Sequence, residues 1–182
     1  MSTVPAPIRQ VEPLTRTAVR SRFPGAAAGR VNHGLRAARW KPTARWLATE
    51  ARLDVHEARD RERLAAGQVV VAPTGKHLVI ADGFVRLSDE AAVDTFKPSV
   101  TPLFLSAARV YGPRVCGVIL TGMGRDGAEG LRAIKHAGGP TLAQDEATSA
   151  VFGMPKAAID LGAVDRVLGI DDIARALVEL AR

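Results

Sequence analysis

Val118-Ile119-Leu120-Thr121-Gly122-Met123-Gly124-Arg125-Asp126-Gly127 changes character twice within a few residues. The apolar run from Val115 to Leu120 stops at Thr-Gly-Met-Gly. A helical pattern then starts at Asp126 and continues through Ala128, Leu131, Ala133 and Ile134. This is the pattern of a buried parallel strand that ends in a glycine turn and feeds a helix. Gly122, Gly124 and Gly127 admit backbone conformations closed to other residues and leave room beside the chain. Asp126 falls at the N-cap or first turn of the helix, at the carboxyl end of the strand, where open α/β sheets place their sites. Taken alone, the pattern supports two readings equally: a functional carboxylate, or a helix cap worth about 1 kcal/mol.

Outward from this turn, strands and helices alternate. Upstream, Gly67–Pro73 is a β-branched strand closed by a proline turn, and His77–Ile80 and Phe84–Leu87 flank the hairpin signal Asp82-Gly83. Lys97-Pro98-Ser99 opens a helix with Ser99 as N-cap and Val100, Leu103, Phe104, Ala107, Ala108 and Tyr111 on one face. Downstream, Thr141–Gln144 is a short strand, Met154-Pro155 opens a helix to Leu161, and Val164–Leu168 is extended. Asp171-Asp172 caps a last helix with Ile173, Ala176, Leu177 and Leu180 on its apolar face. This alternation implies an α/β fold with a mainly parallel sheet and helices on both faces.

Charge divides the 182 residues unevenly: 1–49 carry nine Lys/Arg against the single acid Glu12, whereas 50–182 carry sixteen against eighteen acids. The net charge of +6 therefore belongs to a basic leader ahead of a balanced domain. Residues 1–45 have no clean period, and we set them apart as a basic, atypical segment from a domain at 46–182. Arginine-rich arms can bind nucleic acid through phosphates; this one lacks interleaved aromatics and any binding motif, which argues against specific recognition. One cysteine, Cys116, excludes an internal disulfide and a cysteine-rich metal site, and its place in an apolar strand makes it a core thiol. No apolar run reaches the length of a membrane span and no apolar signal core opens the chain, so the expectation is a cytoplasmic protein without membrane insertion.

Val69-Val-Val-Ala-Pro-Thr-Gly-Lys-His-Leu78, Lys97-Pro-Ser-Val100, Leu120-Thr-Gly-Met-Gly-Arg-Asp-Gly127, Ala143-Gln-Asp-Glu-Ala-Thr-Ser149, Phe152-Gly-Met-Pro-Lys-Ala-Ala-Ile159 and Leu161-Gly-Ala-Val-Asp165 follow in order. Together they resemble the catalytic domain of the chemotaxis protein-glutamate methylesterase family, the CheB type. The resemblance implies a doubly wound α/β domain with a β-hairpin insertion. It also implies a Ser-His-Asp triad that hydrolyses glutamate γ-methyl esters and deamidates glutamines on the cytoplasmic segments of chemoreceptors. Residue by residue, it places the triad aspartate on Asp126 and an oxyanion-hole N–H on Met123, with Gly122 and Gly124 shaping that substrate-binding turn. The histidine, in a Val-x-His pattern, falls on His33, and the serine of a Ser-Thr-Gly-Gly loop falls on Ser2. No cofactor or metal is implied, and a separate response-regulator receiver domain is an implied partner.

The front of the chain departs from the family pattern. Val4 and Pro5 stand where two glycines bring backbone close to substrate, and Pro5 removes an N–H donor. Gly25–Val31, the stretch leading to His33, is small and glycine-rich for a sheet strand. A truncated or shifted frame that rejoins the family near Ala44 is the explanation the sequence suggests. The alternatives are a non-catalytic remnant of the fold that binds other proteins, and a nucleic-acid-binding basic arm. Gly122, Gly124 and Gly127 also satisfy Gly-x-Gly-x-x-Gly, but no acidic residue follows in a clear dinucleotide-binding context. Among the other histidines, His77 begins a hairpin strand, His56 reads as a solvated surface residue beside Glu57, Arg59 and Asp60, and His136 ends a helix where a cation suits the dipole.

Overall fold

The structure, a computed structural model, describes residues 28–30, 48, 54–93 and 96–180. Its elements run β1 (Ala28–Arg30), β2 (Asp54–Glu57), β3 (Gln68–Val71), β4 (His77–Ala81), β5 (Phe84–Ser88), α1 (Val100–Tyr111), β6 (Gly117–Ile119), α2 (Ala128–His136), β7 (Thr141–Gln144), α3 (Met154–Asp160), β8 (Arg166–Leu168) and α4 (Ile170–Leu180). The fold is α/β. Two parallel ladders carry it, in the orders β1-β3-β2 and β6-β7-β8, and β4-β5 is an antiparallel hairpin.

The hairpin forms where the sequence places it. Asp82 and Gly83 both take positive φ, 52° and 78°, the geometry of a two-residue turn whose twist matches the strands it joins. Ser99 caps α1, its hydroxyl accepting from Thr101 N–H. Alternation along β6 separates two cores: Ile119 packs with Leu131, Met154 and Ala158 from α2 and α3, while Val118 and Leu120 pack with Leu142 and Ile173 beneath α4. Helices thus cover both faces of this ladder. A third cluster joins Val70 of β3 and Leu78, Ile80 and Val85 of the hairpin to Leu103 and Ala107 of α1.

Several local expectations change. Only Gly117–Ile119 of the apolar run 115–120 enters the ladder, beside β7, whose four residues are all buried. Gly117 lets Leu131 pack directly against the strand: a Cβ there would lie 2.4 Å from Leu131 Cδ1. Ala28–Arg30, for all its small residues, does pair with Val69–Val71. The first turn of α4 begins at Ile170, so Asp171 and Asp172 lie within it rather than ahead of it. His56 is half-buried rather than solvated, held between Asp54 Oδ1 at 3.3 Å and Glu62 Oε2 at 3.1 Å. Cys116 sits just ahead of β6, where burial and, secondarily, the charge of Asp165 push its thiol up to about 12, so it stays protonated and unreactive near neutral pH. No helix among the described residues is long and apolar enough to cross a membrane.

Candidate active site

The turn after β6 is held by the loop after β7. Thr121 Oγ donates to Val151 O (3.2 Å) and accepts from Val151 N–H (2.8 Å); Gly122 N–H donates to Val151 O (3.0 Å); Gly122 O accepts from Gly153 (3.1 Å) and Met154 (2.8 Å). Thr121 N–H also reaches Gln144 Oε1 at 2.8 Å, and the Gln144 amide is anchored on Thr148 O at 2.7 Å, so these two residues brace the turn. The contacts are backbone on backbone: a Cβ on Gly153 would lie 2.7 Å from Gly122 O and 3.1 Å from Gly124 N. Met123 is pushed outward, with 70% of its surface exposed, and among the described residues its N–H has no acceptor.

Asp126 follows at 2% exposure. It does not cap α2, as the local sequence suggests; Gly127, with φ 85°, takes that position. Its carboxylate turns instead to the N-terminus of α1. Oδ1 accepts from Ser99 Oγ (2.5 Å), Thr101 Oγ1 (2.9 Å) and Thr101 N–H (3.2 Å), and Oδ2 accepts from Val100 N–H (2.7 Å). Every one of these partners is a donor, and the carboxylate lies where the α1 dipole favours negative charge. Thr101 Oγ1 also accepts from Gly127 N–H at 2.9 Å, which ties the start of α2 to the same spot.

Behind Ser99 lies His77, fully buried at the start of β4. Its Nδ1 accepts from Ser99 N–H (3.1 Å), so Nε2 carries the proton and donates to Ala91 O (3.0 Å). His77, Ser99 and Asp126 have the composition of a hydrolytic triad but not its wiring. The serine hydroxyl donates to the carboxylate, and the imidazole meets the serine's backbone rather than its oxygen. All three are at most 2% exposed. A nucleophile of this kind needs an imidazole at its hydroxyl and access to substrate; the Ser99 hydroxyl meets a carboxylate instead and is fully buried.

Of the expected site residues, Asp126, Met123, Gly122 and Gly124 come together in this turn. Ser2 and His33 lie outside the described residues. His77 went unassigned in the sequence reading: a lone histidine at a strand start carries no local signal for a partner 22 residues on. Among the described residues no group of three His, Cys, Asp or Glu side chains is arranged to hold a metal ion.

The family model described as CheB methylesterase matches residues 23–177. Protein-glutamate methylesterase/protein-glutamine glutaminase 2 of Anaeromyxobacter dehalogenans is 71% identical over 139 residues, 76% of this chain and 41% of that protein. The protein-glutamate methylesterase/protein-glutamine glutaminase of Moorella thermoacetica is 52% identical over 144 residues, 76% of this chain and 34% of its own length. Protein-glutamate methylesterase FrzG of Myxococcus xanthus is 47% identical over 137 residues, 75% of this chain and 41% of its own. The chain thus spans about two-fifths or less of the curated relatives it matches. The crystal structure of the Thermotoga maritima CheB methylesterase catalytic domain superposes with a TM-score of 0.86 at 34% identity, covering 95% of this chain and 92% of that one.

Proposed function

As a member of the CheB methylesterase family, the chain is, we propose, a protein-glutamate methylesterase that hydrolyses glutamate γ-methyl esters on cytoplasmic segments of chemoreceptors and deamidates glutamines there. The observation that carries this reading is the buried carboxylate of Asp126 three residues from exposed Met123, whose N–H has no acceptor among the described residues, both in the turn that follows β6. Ester hydrolysis needs a hydroxyl nucleophile, a base to take its proton, a carboxylate to orient the base, and donors for the developing oxyanion. Asp126 is the orienting carboxylate in this proposal, His33 the base and Ser2 the nucleophile. Met123 N–H meets the oxyanion on a turn shaped by Gly122 and Gly124. Ser2 Oγ attacks the γ-carbonyl while His33 takes its proton. Collapse of the tetrahedral adduct releases methanol, which receives that proton, or ammonia from glutamine. Water, deprotonated by the same base, then frees the glutamate and restores the serine.

The front of the chain bears on the rate. A reacting distance of about 3–3.5 Å must be held, and small misplacements are costly. Val4-Pro5 after Ser2-Thr3 replaces the glycines that would aim the hydroxyl. The proposed activity is therefore lower than that of a chain carrying Ser-Thr-Gly-Gly. The proposal places this work in the cytoplasm, with receptor segments and a response-regulator receiver domain as proposed partners and no cofactor in the reaction. Methanol release from a methylated receptor tests the reading: slow release that rises when the Ser-Thr-Gly-Gly segment and its strand are grafted on supports it. No release from either protein supports the binding-module alternative instead.

A further inference from the structure

We propose that His77 is the positioning residue for Asp126, acting through the Ser99 peptide; this deepens the esterase reading and rests on it for its consequence in catalysis. Among the described residues, three consecutive ones, Ser99, Val100 and Thr101, donate to Asp126. Their directions share one origin, the orientation of the Ser99 backbone, which is extended at φ −111° and ψ 147° while the helix begins at the next residue. From behind, the Ser99 N–H donates to His77 Nδ1 at 3.1 Å. The imidazole is in turn fixed by its other nitrogen, which donates to Ala91 O at 3.0 Å.

Burial makes the arrangement consequential. His77 and Ser99 are both fully buried, so a Ser99 N–H deprived of its acceptor finds no water in exchange. The peptide then turns to seek another partner, and the Ser99 hydroxyl and Val100 N–H turn with it. Since the bond of Ser99 Oγ to Asp126 is the shortest of the set, at 2.5 Å, rotation there moves the carboxylate. The hairpin thus reaches the orienting carboxylate through one imidazole, which ties the register of β4 to the aim of Asp126. The ring serves as an acceptor toward Ser99 and a donor toward Ala91, a pair of duties that fixes one neutral tautomer.

Two substitutions separate these duties. In His77→Asn the side-chain oxygen takes the place of Nδ1 and keeps an acceptor for Ser99 N–H. In His77→Gln the longer amide takes the place of Nε2, keeps a donor for Ala91 O and withdraws the acceptor. The readouts on the full chain are the carboxyl carbon resonance of Asp126, the amide resonances of Val100 and Thr101, and kcat and KM for methanol release. His77→Gln is expected to shift those resonances and lower kcat by between about 10- and 100-fold with KM unchanged; His77→Asn is expected to restore both. Equal effects from the two variants, or none from either, would overturn the proposal and leave the ring as packing. The unmodified chain gives an independent reading if a variant fails to fold: a coupling across the hydrogen bond between the Ser99 amide nitrogen and His77 Nδ1 is expected, and its absence overturns the assignment. The resonances need no turnover. Their contrast without methanol release from the unmodified or grafted chain would refute the esterase reading while leaving the positioning by His77 in place.

Discussion

At Asp126 a single atom exchange separates two physical roles. On an exposed helix end Asn caps as well as Asp. Here both carboxylate oxygens accept, Oδ1 from Ser99 and Thr101 and Oδ2 from Val100. Asp126→Asn turns one oxygen into an NH2 group that faces a donor whichever way the amide is flipped. The expected cost is about 1–3 kcal/mol, the penalty for buried polar groups left unpaired. Thermal unfolding measures it, and an unchanged melting temperature would show that the α1 donors do not hold this carboxylate. His77 offers the residue-scale contrast. Its neighbours in sequence say nothing of Ser99, because the bond between them is made only when the hairpin docks on α1.

The turn after β6 is fixed as an element, by its partner loop. Gly153 is central to that fit: an added Cβ would meet Gly122 O at 2.7 Å, Gly124 N at 3.1 Å and Met123 Cα at 3.2 Å, none of which is a flexible side-chain end. Gly153→Ala is therefore expected to cost about 1–3 kcal/mol in stability and to displace the Met123 N–H. Urea unfolding together with the Met123 amide resonance checks both; an unmoved resonance at full stability would mean that the loops are not in register. At the other end of the ladder, Asp165 joins β7, β8 and α2. Its Oδ2 accepts from Thr141 N–H and Oγ1, both at 2.9 Å, and its Oδ1 pairs with Lys135 Nζ at 3.2 Å. Burial raises this carboxyl, but the hydrogen bonds from Thr141 and Lys135 outweigh it and hold the group below its ordinary value. A lowered folded value means that the stabilisation is complete above the unfolded value of about 3.9 and is lost as pH falls through the folded one. The stability advantage of the natural chain over Asp165→Asn should accordingly persist from pH 7 to about pH 4 and vanish in stronger acid. An advantage that persisted undiminished into stronger acid would exclude the ionised carboxylate as its source.

Across the whole molecule, what could be read from the chain depended on how far each signal reached. Ser99 as a cap, Asp82-Gly83 as a hairpin turn and the two-faced burial of β6 are local patterns, and each appears in the fold. The target of Asp126 was not legible. The carboxylate sits one residue ahead of α2, where a local reading makes it a cap, yet it serves α1, whose first turn lies 26 residues earlier for Val100. His56 was misread for the same reason: Glu62 folds back on it from the loop toward β3. The glycine turn was legible as a constrained turn because its backbone constraints are written in residue types. The positions proposed for the base and nucleophile, His33 and Ser2, fall in the basic leader, where the family pattern thins and the structure describes only Ala28–Arg30.

The central claim is an esterase site organised by Asp126, and methanol release tests it most directly. Four proteins are compared on one methylated receptor: the unmodified chain, the chain with a strand and Ser-Thr-Gly-Gly grafted at its front, and each of these with Asp126→Asn. We expect slow release from the unmodified chain and faster release from the graft. Asp126→Asn should reduce both, by about 10⁴ where the range of the assay permits, as for the orienting aspartate of a protease triad. Release that Asp126→Asn leaves unchanged, or no release even from the grafted chain, would contradict the account.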